Sequence, residues 1–196
     1  MSFFLIIKNF FKVLLLLMFF RFHIFPPNST YFCIMEVCDD FRDARVQLFN
    51  DKTHIFFSIN NCLMLLYAFS TANLNTLLLH ASVVKNRGKG YIFLGKSGTG
   101  KSTHSRLWLE HIEGSELLND DNPVVRIENG EVKVFGSPWS GKTPCYLNED
   151  AILKGVVKLK QAPENKIKRL SLLQAYAVMF PACSNMRWEE TIAAGI

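Results

Sequence analysis

Two short stretches carry residue types that could do phosphate chemistry. The first is Gly95-Lys96-Ser97-Gly98-Thr99-Gly100-Lys101-Ser102-Thr103, which satisfies the phosphate-loop pattern Gly-x-x-x-x-Gly-Lys-Ser. A phosphate chain needs close backbone approach, and Gly95, Gly98 and Gly100 permit it because no Cβ intrudes. Successive N–H groups then form an anion-binding nest at a helix N-terminus, where the helix dipole also favours negative charge. Lys101 would reach the β- and γ-phosphates of a nucleotide, and the Ser102 hydroxyl would ligate Mg²⁺. The second stretch is Asn119-Asp120-Asp121. One carboxylate of such a pair would hold Mg²⁺, directly or through water, and its neighbour could take a proton from a hydroxyl nucleophile. The competing interpretations are a glycine-rich turn that binds nothing and a turn with two solvated aspartates.

The surrounding elements suit both stretches. Tyr91-Ile-Phe-Leu94 predicts a strand running into the loop, and Lys101 to Ile112 predicts the helix leaving it. Thr76 to Val84 predicts one strand, and the turn at Lys85 to Gly90 joins it to the loop strand as an antiparallel hairpin. Gly114 stops the helix, and Ser115 to Leu118 is a short strand delivering the acidic pair. Only one helix and one turn separate the pair from Lys101, so it must come from the next strand. Asn129-Gly130 centres a hairpin over Val124 to Phe135. Upstream, Thr53 to Ile59 predicts a short strand, followed by a helix capped by Ser58 or Asn60 and reaching about Ser70. Downstream, Ile152 to Leu159 is strand-like, and Ser171-x-x-Gln174 is a capping box opening a helix to about Phe180. Gly136 to Thr143 also matches the phosphate-loop pattern, but Pro138, Trp139 and Pro144 argue against a second such loop. Lys142 and Thr143 are instead candidates to meet a phosphate held by the first loop; the alternative is a plain structural loop.

The 196 residues suit one domain with appendages, and 49% apolar with 20% charged residues is a globular composition. The net charge of +5 is mild, and Lys8, Lys12 and Arg21 contribute three of the cations from an apolar leader. Six more lie between Lys154 and Arg169 without interleaved aromatics, which reads as a solvated face rather than a nucleic-acid site. Five scattered cysteines without a CxxC pair read as free thiols in a reducing cytoplasm. In residues 1–34 the apolar run is broken by Lys8, Asn9, Lys12 and Arg21, short of the about 20 residues a spanning helix wants. The expectation is a leader outside the folded domain, with Met35 the natural start and 35–196 a single domain; a membrane anchor is the alternative.

The combination His80-Ala-Ser-Val-Val, then Gly95 to Ser102, then Asn119-Asp-Asp-Asn122 resembles the catalytic domain of the bacterial HPr kinase/phosphorylases. That resemblance covers Thr53 to Asp121 well and is looser to about Met186. It implies an α/β fold of the HPr-kinase/phosphoenolpyruvate-carboxykinase type, with a mixed, partly antiparallel sheet and a phosphate-loop helix. It further implies a cytoplasmic ATP- and Mg²⁺-dependent kinase acting on a hydroxyl of a protein, peptide or small molecule, and, at family level, a homo-oligomer. Carried over by position, Lys101 contacts the β/γ-phosphates, Ser102 and Asp121 serve Mg²⁺, Asp120 is the general base, and His80 lies near the transferring phosphate. The chain departs from that family after the acidic pair, where its glycine-rich, glutamate-bearing signature is missing, and the C-terminal helical part is cut short. HPr is therefore not implied as the substrate. The competing functions are a carboxykinase-like enzyme, for which Arg106 and Arg126 are the nearest arginines, and a nucleotide-binding sensor or truncated remnant without turnover.

Overall fold

The computed structural model describes residues 20–26, 33–48 and 54–184, together with the backbone of Phe3–Ile7. The chain divides into two compact units, Met1–Ser70 and Thr71–Ile196.

The first unit contains a four-stranded antiparallel sheet. Its strands are β1 (Phe3–Ile7), β2 (Phe20–Ile24), β3 (Cys33–Val37) and β4 (Ala44–Leu48), in the order β1-β4-β3-β2. Two of these strands lie within the predicted leader, and β2 pairs along its whole length with β3, which crosses the expected boundary at residue 34. Residues 8–19 of that leader are outside the described residues. Alternation of buried and half-buried positions in β3 and β4 gives the sheet one apolar face. Phe20, Phe41, Phe22 and Phe69 form a chain of ring contacts at 5.3–5.8 Å between centroids.

Helix α1 (Ile55–Thr71) corrects the strand predicted at Thr53 to Ile59. Aromatic and β-branched residues there favour a strand only weakly, and packing overrides that preference. Ser58, Cys62 and Phe69 recur at helical spacing on its buried side, and no glycine or proline interrupts it. With the following turn, Ile55–Leu74 is the one helix among the described residues that is long and apolar enough to cross a membrane. Asn75, at φ 53°, ends the helical run in the left-handed conformation.

The second unit is a mixed α/β fold on a seven-stranded sheet. Its strands are β5 (Thr76–Leu78), β6 (Ala81–Asn86), β7 (Lys89–Leu94), β8 (Ser115–Asp121), β9 (Val124–Glu128), β10 (Glu131–Phe135) and β11 (Asp150–Lys158). They stand in the order β5-β9-β10-β11-β7-β6-β8. The strand predicted over Thr76 to Val84 is in fact two: the chain bends at Leu79-His80, leaves β5 at one edge and enters β6 near the other. Both predicted hairpins form. Arg87 and Gly88 (φ 48° and 74°) turn β6 into β7, and Asn129 and Gly130 (φ 51° and 83°) turn β9 into β10. Consecutive positive φ values match the right-handed twist of the flanking strands.

Helix α2 (Lys101–His111) follows β7 and crosses β6 to reach β8. It turns Ser105 and Trp108 inward: the Trp108 ring meets Tyr91 and Phe93, and the buried hydroxyls of Ser105 and Ser82 are 2.7 Å apart. The other face of the sheet carries the core, including Leu79, Ile92, Leu94, Leu118 and Val134, all with no exposed surface. The short helix α3 (Leu172–Met179) opens on the predicted capping box, with Ser171 and Gln174 exchanging side-chain-to-backbone bonds, and packs Val178 and Met179 against that core.

Candidate functional site

The site lies at one end of β6, β7 and β8, and strand register builds it. β7 and β8 both run antiparallel to β6, so they run parallel to each other with β6 between them. Ala81, the first residue of β6, pairs with Leu94 on one side and Asp121 on the other. The loop after β7 and the acidic pair ending β8 therefore emerge at the same end of the strands, with His80 one residue before β6. On the far side β11 pairs in parallel with β7, setting Lys158 beside Leu94.

The 95–100 loop joins β7 to the first turn of α2. Gly98 and Gly100 adopt φ values of 80° and 103°, which side-chain-bearing residues rarely take. A Cβ on Gly95 would come within 3.0 Å of the Thr99 side chain. Gly100 caps α2 without a side-chain bond, leaving first-turn N–H groups for an anion. Lys101 folds back so that Nζ donates to the Gly95 carbonyl at 3.0 Å. Burial of the ammonium among these groups pushes its pKa down, and the nearby carboxylates of Asp121 and Asp120 oppose that shift.

Cross-strand partners point to the same face of a sheet. Asp120 pairs with Ser82, whose side chain meets Ser105 of α2, so the Asp120 carboxylate also reaches α2. Its Oδ1 accepts from the Ser102 hydroxyl at 3.0 Å, and the residue is only 4% exposed. Asp121 is held at φ 148°, a conformation costing about 1–3 kcal/mol for a residue with a side chain. Its Oδ1 stands 3.1 Å from His80 Nδ1, and its Oδ2 accepts from the Asn122 amide. The imidazole beside it, more than any other group, holds the Asp121 carboxyl below its ordinary pKa. His80 Nε2 is 3.0 Å from Lys101 Nζ. With the ammonium donating to Nε2, Nδ1 carries the proton toward Asp121, giving a continuous line Lys101–His80–Asp121.

The structure thus brings together Lys101, Ser102, Asp120, Asp121 and His80, but it pairs Ser102 with Asp120 rather than with Asp121. Lys96, Ser97 and Gly98 are exposed on the loop, Thr99 is half-buried, and Thr103 is exposed on α2. Lys142 and Thr143 are exposed on the loop that follows β10, and the chain runs from there into β11 rather than into a helix. That loop touches the acidic pair through its backbone: Gly141 N donates to Asp120 O at 2.5 Å, and Ser140 bridges Asp121.

Sequence reasoning misses a supporting shell. The buried amide of Asn119 donates to Ser137 Oγ and to the Trp139 carbonyl, each at 3.2 Å, while its Oδ1 accepts from Asn122 N. Ser137 in turn donates to the Asn122 carbonyl at 2.6 Å. A polar residue such as Asn119 at an inward strand position was the available signal. Gln161 Nε2 reaches Gly98 O at 3.4 Å and has no such local signal.

Ser102 Oγ and Asp120 Oδ1 are hard oxygen donors converging beside the helix terminus, which fits Mg²⁺ with further ligands from water and phosphate. No cluster of three or more His, Cys, Asp or Glu side chains able to hold a metal by themselves occurs among the described residues. No protein-family model matches the chain, and no curated protein matches it.

Proposed function

We propose that the chain is an ATP- and Mg²⁺-dependent phosphotransferase of the HPr-kinase/carboxykinase type, moving the γ-phosphate to a hydroxyl. One observation supports this reading: the pairing of Ala81 with both Leu94 and Asp121 brings a glycine-rich loop and an acidic pair to one end of the strands. Phosphoryl transfer asks for positioning and charge neutralisation more than covalent chemistry, and the residues present supply both. The loop amides and Lys101 receive the phosphates. Ser102 and Asp120 would hold Mg²⁺, which when bound offsets phosphate charge. The more accessible Asp121 accepts the proton of the attacking hydroxyl, with His80 fixing its orientation. This exchanges the two aspartate roles implied by the resemblance, because the Ser102–Asp120 hydrogen bond favours Asp120 on the metal side.

The test is the fate of γ-labelled ATP on the full chain, with Lys101→Ala as control and a cell lysate as acceptor pool. Label transferred to a protein band or metabolite by the wild type, and lost in the variant, is the expected result. ATP binding without transfer or release would move the reading to a nucleotide sensor. No binding at all would remove the phosphate-loop assignment.

A further inference from the structure

We propose that residues 166–176 form a docking surface for bilayers carrying anionic headgroups. Ile167 and Leu172 are each 89% exposed, Leu173 78% and Tyr176 57%, a concentration of open apolar surface unlike the rest of the sheet domain. Helix α3 is held to the core by Val178 and Met179, so Leu172, Leu173 and Tyr176, at helical spacing, project from a fixed base. The capping box at Ser171 fixes the first turn that presents the two leucines.

Charge identifies the occupant. From Lys160 to Ser184 the charged residues are Lys160, Lys166, Lys168 and Arg169 against the single acid Glu164. Lys166, Ile167, Lys168, Arg169 and Leu170 interleave cations with apolar side chains, and all five are exposed. The cores of protein–protein interfaces are depleted of lysine. A headgroup layer accommodates the interleaving: apolar tips enter the acyl boundary while cations stay at the phosphates. Tyr176, apolar with one polar end, suits the same depth. This surface does not depend on what the 95–121 site binds.

The test is sedimentation of the full chain with phosphatidylcholine vesicles, with or without phosphatidylglycerol. Binding to the anionic vesicles should fall roughly 100-fold in Lys166→Ser/Lys168→Ser/Arg169→Ser and should weaken with salt. Because the apolar N-terminal stretch could reach a bilayer independently, the emission that Leu173→Trp adds to that of the three native tryptophans supplies a local readout. That added emission should be quenched by brominated acyl chains in anionic vesicles and not in neutral ones. Unquenched added emission, or quenching that the Lys166→Ser/Lys168→Ser/Arg169→Ser substitutions leave undiminished, would overturn the proposal. Conversion of an oligomer to a monomer by Leu172→Ser/Leu173→Ser, without loss of vesicle binding, would assign the surface to a second copy instead.

Discussion

The Ser102 hydroxyl donates to Asp120 Oδ1 across 3.0 Å, tying the first turn of α2 to the end of β8. Asp121, the next residue, turns instead to His80, so the two carboxylates sit in different surroundings.

That division predicts different losses. Asp120→Asn should weaken Mg²⁺-dependent nucleotide binding together with turnover. Asp121→Asn should retain Mg-ATP affinity and lose about 10²- to 10⁴-fold in rate, the usual contribution of a positioned base. Titration calorimetry with Mg-ATP beside single-turnover transfer separates them. Weaker metal-nucleotide binding in Asp121→Asn than in Asp120→Asn would return the roles to the opposite assignment.

His80→Ala should raise the Asp121 pKa, because the imidazole contact is the leading cause of its depression. The sign for stability follows. A carboxyl with a lowered folded-state pKa contributes stability above its unfolded value, and that contribution is lost as pH falls through the folded value. In His80→Ala the loss should begin at the same pH, be complete at a higher pH, and be smaller in total. Carboxyl NMR titration and acid unfolding of both proteins would check it; an unmoved Asp121 titration contradicts the contact.

Gly136→Ala should destabilise the second unit by about 1–3 kcal/mol, the usual range for forced overpacking. A Cβ there would lie 2.1 Å from the Leu147 carbonyl oxygen and 3.1 Å from that of Leu118. Backbone on both sides leaves little room to relax. Denaturant melts would measure the loss, and an unchanged midpoint would show that the 136–147 loop gives way.

In the first unit, buried Cys33 and Cys62 place their sulfurs 3.6 Å apart. The Cys62 thiol, as hydrogen-bond partner, lowers the Cys33 pKa despite burial. Cys62→Ala should therefore raise the Cys33 pKa, leaving desolvation as the larger influence. Ultraviolet thiolate titration reads this directly; a Cys33 titration unmoved in the variant would exclude Cys62 as the cause.

Much of the site's framework was legible because it depends on local chemistry. The glycine spacing of 95–100, the Asn129-Gly130 turn and the Ser171 capping box each prescribe a backbone conformation within a few residues. Mixed strand direction was partly legible, since the short Lys85 to Gly90 turn allows only an antiparallel return. What was hidden depends on distant partners. Thr53 to Ile59 looks like a strand until Ser58, Cys62 and Phe69 find a common buried side. The bend at His80 arises where Leu79 bridges Cys183 and His80 N donates to Ala182 O, over 100 residues away in sequence. The aspartate that faces Ser102 could not be read from the tandem pair, because neighbouring strand residues point to opposite faces and only register decides between them.

That register contains an irregularity. Along β6, Val83 pairs with Asn119 but the next residue, Val84, pairs with Leu117, so Leu118 is an extra residue in β8. Such an insertion is a phase shift of half a pleat. Everything in β8 beyond Leu118 has the parity opposite to the one its first residues would have dictated. Pairing all seven residues regularly, with Leu118 opposite Val83, would set Asp120 opposite Ala81 and trade the faces of Asp120 and Asp121, whereas excising Leu118 would leave both where they are. One backbone irregularity thus sets which of the two carboxylates faces Ser102 and α2.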